Sequence, residues 1–104
     1  MKFSIVFSSS AKDDLINLYR YLAQDCAVPL TAQRQIDRIL AAINSLEEQP
    51  YRCRRFLEGE ELLKLTLRTL IINPWQVLFH IDEDSCQIRI VRIMSSRMNI
   101  TEHL

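Results

Sequence analysis

The residues best equipped for chemistry in this sequence are cations of its second half: Lys64, Arg68, Arg89, Arg92 and Arg97, followed by His103. Guanidinium and ammonium groups neutralise phosphates or carboxylates, and arginine does so through a fixed, two-pronged geometry. Lys64 and Arg68 fall on one face of the alternating stretch "LLKLTLRTLII", and Arg92 and Arg97 line or follow the apolar "IRIVRIM". Lys64 and Arg89 read as solvated charges on an outer sheet face. Arg68, set among leucines, and Arg97, borne just beyond a buried strand, are better placed to act, because a rigid element can hold them. His103 has the chemistry of a general acid or base. His80 alternates with apolar neighbours, has no second ligand at metal-binding spacing, and reads as a packed or surface imidazole.

Much other chemistry is excluded. A single glycine, Gly59, rules out a glycine-rich phosphate loop, and there is no nucleophile elbow, H-E-x-x-H or paired-cysteine motif;. Cys26, Cys53 and Cys86 are odd in number and widely spaced, which fits packing residues and neither a disulfide framework nor a zinc site;. No metal or cofactor is expected. Three aromatic residues stand out as candidate partner contacts: Trp75, directly behind the Asn73-Pro74 turn, Tyr21, off the main apolar stripe of its helix, and Tyr51. Tryptophan is a favoured anchor at interfaces, although a residue placed like Trp75 is more often core, and Tyr21 and Tyr51 either contact a partner or cover the helical hairpin.

The elements that must position these residues follow from periodicity. In "KFSIVF", Phe3, Ile5 and Phe7 alternate with Lys2, Ser4 and Val6, as in a strand with one buried face;. Ser10 is placed to cap a helix starting near residue 11, with Asp13 in its first turn and Leu15, Leu18, Tyr19 and Leu22 as its apolar stripe;. After an interruption at Pro29, Thr31 can cap a second helix whose stripe is Ile36, Ile39, Leu40, Ile43 and Leu46, with Pro50 as the stop;. Helices so closely joined form an antiparallel hairpin. Residues 51–61 lose periodicity. "LLKLTLRTLII" and "WQVLFHID", with Trp75, Val77, Phe79 and Ile81 on one face, then read as strands about a turn, and "CQIRIVRIM", apolar on both faces, as an interior strand;.

The expected fold is therefore α+β: an N-terminal strand, a two-helix hairpin and a three-strand antiparallel meander, with the helices on one face of a small sheet. A length of 104 residues fits one domain spanning 1–104;. Thirteen basic and thirteen acidic residues give zero net charge, so attraction to nucleic acid would need a local patch;. No apolar run is long enough to span a bilayer, and "KFSIVF" is too short for a signal peptide, so a cytoplasmic location without membrane contact is expected;.

Taken in order, "SSAKDDLINLYRYL", "TAQRQIDRILAAINSLEEQPYRCRR", "LRTLIINPWQVLFHID" and "IRIVRIMSSR" resemble the RelE/ParE superfamily of toxins from type II toxin–antitoxin systems. The likeness covers nearly the whole chain and lies in the sequential order of the segments. It implies a toxin neutralised by a cognate antitoxin, with toxin–antitoxin heterotetramers as one form of assembly. RelE-like members cleave messenger RNA on the ribosome with basic residues and a late tyrosine or histidine; ParE-like members inhibit DNA gyrase. The residues here matching the nuclease set are Lys64, Arg68, Arg97 and His103. Ser95 or Ser96 stands where "L-H-x-R" relatives carry a histidine, and no tyrosine follows Tyr51. The resemblance therefore favours a ParE-like, non-enzymatic toxin that meets gyrase through Arg68, Arg92 and Arg97 and its antitoxin through Tyr21, Tyr51 and Trp75.

Overall fold

The computed structural model describes residues 2–25, 29–56 and 67–95. Strand β1 (Ser4–Phe7) leads into helix α1 (Ser9–Arg20) and a π-helical turn at Tyr21–Asp25. Helix α2 (Pro29–Asn44) is followed by 3-10 turns at Ser45–Glu47 and Pro50–Arg52. The strands β2 (Arg55–Phe56), β3 (Leu67–Ile72), β4 (Trp75–Asp82) and β5 (Gln87–Ser95) complete a sheet in the order β1-β5-β4-β3-β2. β3, β4 and β5 form the expected antiparallel meander. The first strand joins it in parallel, pairing Ser4–Phe7 with Gln87–Ile90, and a two-residue β2 is added at the far edge.

The helices cover one face of this sheet. Ala11, Leu15 and Leu18 of α1 and Ile39, Ala42 and Ile43 of α2 pack against Leu70, Ile72, Val77, Phe79, Ile88, Ile90 and Ile93. Burying a side chain such as Phe79 or Ile43 contributes about 1.5–3 kcal/mol. The opposite face is also in part apolar. Leu78, Val91 and Met94 cluster there, and Gln76 donates to Thr69 Oγ1 at 2.7 Å, so two buried polar side chains satisfy each other;. Alternation places Gln76 and Leu78 opposite Val77 and Phe79. A register shift at Leu78/Phe79 sets Leu78 against Arg92 and Phe79 against Ile90, leaving Val91 as the extra residue of a bulge;.

Several local expectations need correction. The cap of α1 is Ser8, not Ser10: its Oγ accepts the Ala11 amide at 3.0 Å. The reason is tertiary, since the Ser8 amide also donates to the Ile90 carbonyl (2.9 Å) and its hydroxyl to the Val91 carbonyl (2.8 Å), anchoring the junction to β5. With the helix starting earlier, Asp13 and Asp14 fall beyond its first turn. Ala11 takes the buried place in the stripe, and Tyr19 stays 40% exposed. Thr31 lies inside α2, which begins at Pro29, where a fixed φ suits a first helical position;. Pro50 starts a 3-10 turn instead of ending α2 directly, and Cys86, at φ 56, belongs to the turn before β5.

Strand β5 outruns β1. Beyond Ile90 its outer edge is met by the α1 carboxylate Asp14, whose Oδ2 accepts the Ile93 amide and Arg92 Nε, both at 2.8 Å, while Oδ1 accepts Arg92 Nη2 at 2.9 Å. Side-chain exposures of 13% for Asp14 and 23% for Arg92 place the pair where a lone charge would be costly;. Asp14→Ala should therefore lower the free energy of urea unfolding by roughly 2–4 kcal/mol. Asp14→Leu combined with Arg92→Leu should destabilise less than the sum of the two single changes, which a double-mutant cycle reads directly. A second prediction concerns Cys53, which is buried against the core so that desolvation raises its thiol pKa. Less thiolate is then present at any given pH, and iodoacetamide at pH 8 should label Cys53 about tenfold more slowly in the folded than in the urea-unfolded protein, as read by peptide mapping.

Candidate functional site

The sequence-predicted residues separate into two groups at opposite ends of β4. Trp75 opens that strand and Glu83 follows its last residue, a span of roughly 25 Å at the usual strand rise;.

At the first end, Tyr21, Trp75 and Arg92 converge on a cleft of about 560 Å³ that Asp14, Leu18, Ile93, Met94 and Ser95 also line. Each wall has a local cause. Tyr21 begins the π-helical turn that leaves α1 and is half exposed. Trp75 pairs with Ser95 across the sheet and packs on the core. Its indole Nε1 donates to Gln35 Oε1 at 3.1 Å, and Arg38 of α2 holds the adjoining turn through the Asn73 carbonyl at 2.8 Å. The cleft floor carries the Asp14–Arg92 pair. Donating its hydrogen bonds to the Asp14 carboxylate raises the Arg92 pKa further, so this guanidinium stays charged, with its charge matched inside the protein. The result is an aromatic and aliphatic recess with a nearly neutral floor, suited to an apolar anchor from a partner.

At the second end, Tyr51 and Arg68 stand together. Arg68 Nη1 donates to the Cys53 carbonyl at 2.6 Å and the Tyr51 carbonyl at 3.5 Å, and its guanidinium lies 5.3 Å from the centroid of the Tyr51 ring;. Phe3 meets the same ring edge-on at 6.3 Å. The Tyr51 hydroxyl donates to Glu83, and that bond raises its pKa, keeping the phenol protonated. Arg68 thus clamps the 50–56 segment to β3.

Other candidates are simply placed. Arg89 is exposed and paired with Asp82 at 2.9 Å; hydrogen bonds from Ser85, followed by the charge of Arg89, lower the Asp82 pKa. His80 is half buried, opposite Arg89 in the register. Lys64, Arg97 and His103 lie outside the described residues. Among the described residues no three His, Cys, Asp or Glu side chains are grouped to hold a metal, and no helix is long and apolar enough to cross a membrane.

Sequence reasoning missed Asp14, Ser8 and Glu83. Asp14 left a signal, because it falls in the stripe of Ala11, Leu15 and Leu18 at helical spacing, and a carboxylate on a buried face requires a cation;. Ser8 and Glu83 left none, since their partners are 83 and 32 residues away.

Comparison with known proteins agrees with this architecture. Residues 5–100 match the model of the family described as the ParE toxin of the type II toxin–antitoxin system, parDE. Toxin ParE3 of Caulobacter vibrioides is 27% identical over 100 residues, covering 96% of this chain and 93% of that protein. Among solved structures, a chromosomal ParDE toxin–antitoxin system from P. aeruginosa superposes with a TM-score of 0.69 at 21% identity, over 90% of this chain and 96% of that one. The RelBE2 toxin–antitoxin complex of Mycobacterium tuberculosis gives 0.62 at 19% identity, over 91% of this chain and 99% of that one. An archaeal RelE–RelB complex from Pyrococcus horikoshii gives 0.64 at 13% identity, over 95% of this chain and all of that one. With a family match running almost from end to end on a chain whose helices and mixed sheet superpose on such toxins, this protein belongs to the ParE toxin family of type II toxin–antitoxin systems.

Proposed function

We propose that this chain is a cytoplasmic toxin that inhibits DNA gyrase when free and is neutralised by a cognate antitoxin. Family membership supports both halves of the reading. The observation that carries the choice of target is the engagement of Arg68 and Arg92. A site that cleaves RNA needs cations aimed at the charge developing on phosphorus. These two point instead at backbone carbonyls and at the Asp14 carboxylate of their own chain. They act as internal fasteners, Arg92 at the cleft and Arg68 against Tyr51, and Arg97, which follows β5 in the sequence, is assigned the direct contact with the target. The antitoxin is assigned to the cleft, with Tyr21 and Trp75 as the walls for an apolar anchor, and Tyr51 as a further contact on the same partner. Toxin–antitoxin heterotetramers are the expected assembly.

Expression alone should arrest growth, and co-expression of the adjacent antitoxin gene should restore it. In a purified system, the free protein should stop gyrase from supercoiling relaxed plasmid, leave ribosome-bound messenger RNA intact, and lose about tenfold in potency as Arg97→Ala. Unimpeded supercoiling, or messenger RNA cleavage abolished by His103→Ala, would reject the gyrase reading in favour of the ribosomal one. Tyr21→Ala and Trp75→Ala should each weaken antitoxin binding by about 2 kcal/mol in calorimetry, as expected of interface anchors.

A further inference from the structure

We propose that the groove beside Tyr51 is a second docking site, built for an arginine-bearing segment of a partner protein. It lies at the end of β4 away from the cleft and does not depend on the gyrase reading. The groove holds about 840 Å³, within the range of about 300–1,000 Å³ usual for binding pockets;. Tyr51 supplies its exposed apolar surface, with Phe3 and Pro50 buried behind it, and Glu48, Glu83 and Asp84 supply its rim.

Charge complementarity selects the occupant. Against three carboxylates the lining offers one cation, Arg52, whose guanidinium is engaged by the Gln49 carbonyl (2.9 Å) and Ser45 Oγ (2.7 Å), and the neighbouring Arg68, over the Tyr51 ring, is engaged by the Cys53 carbonyl (2.6 Å). Among the described residues no ion pair uses Glu48, Glu83 or Asp84. The whole chain has zero net charge, so the groove is a local acidic excess. Phosphate-bearing partners are repelled there. The carboxylates stand on two separate elements above an aromatic wall, a layout that suits a long side chain laying its methylene stem on Tyr51 while its forked head meets the rim.

The wall is already in place. Tyr51 is 49% exposed yet restrained on three sides: Arg68 over its ring, Phe3 at its edge and Glu83 on its hydroxyl. The turn carrying Glu83 and Asp84 is closed by the Ser85 amide on Asp82 Oδ1 and the Cys86 amide on the Glu83 carbonyl, both at 3.3 Å. A site ordered in advance loses less entropy when it binds.

The test is an NMR titration of the full-length, ¹⁵N-labelled protein with acetyl-Leu-Arg-Leu-Arg amide and with the peptide in which citrulline replaces both arginines. Amide shifts should gather at Phe3, Glu48, Tyr51, Glu83 and Asp84, and the citrulline peptide should bind about tenfold more weakly. The double variant Glu48→Gln, Asp84→Asn alters exposed side chains and spares the Tyr51–Glu83 bond, so it should keep a dispersed spectrum while losing affinity by a similar factor. Equal binding of both peptides, unchanged affinity in the double variant, shifts centred on Tyr21 and Trp75, or no binding would each overturn the proposal. Concentration-dependent shifts of the groove amides without any peptide would also overturn it, by assigning the groove to a second copy of this chain.

Discussion

The constraint on which this structure turns is the outer edge of β5. A nine-residue strand is flanked by a four-residue one, so half of its edge would face the helical layer with unpaired amides and carbonyls;. Ser8 and Asp14 remove that cost. Ser8 takes up the Ile90 and Val91 carbonyls where β1 ends, and one turn and a half further along α1 Asp14 accepts the Ile93 amide. The same carboxylate would be stranded in a half-buried place without a cation, and Arg92 supplies it;. One set of bonds therefore fixes the start of α1, its distance from the sheet and the path of β5.

That solution also decides what the cleft can recognise. With Arg92 neutralised, the space between Tyr21, Trp75 and the end of β5 is governed by aromatic and aliphatic surface. A partner would gain there mainly by burying apolar area, while a phosphate would find no uncommitted guanidinium in the described lining. Arg68 follows the same economy at the other end of β4: it holds two carbonyls and stacks on Tyr51, and so stiffens a segment that has no sheet partner over most of its length. Two arginines that look exposed to ligands in the sequence are thus internal fasteners, and the surfaces they support are unlike one another in charge.

Much of the fold could be read directly. The period of two in "KFSIVF" and "WQVLFHID" and the helical spacing of Ile36, Ile39 and Ile43 report which face of each element must leave water, and the Asn73-Pro74 pair marks the turn between β3 and β4;. The candidate site was legible only in its composition. Tyr21, Trp75 and Arg92 were each singled out by type, yet nothing local says that the three meet, or that Tyr51 and Arg68 form a separate group.

The division has a physical reason. Apolar periodicity, helix-compatible spacing and turn chemistry act between neighbours in the chain, so the sequence by itself determined an α+β domain, the order of its elements and the composition of its core. Hydrogen bonds and ion pairs act between neighbours in space. The parallel docking of β1 on β5, the capture of Arg92 by Asp14 across 78 residues and of Tyr51 by Glu83 across 32 depend on where the packed elements bring their side chains. Only the tertiary structure could decide which charges remain to meet a partner.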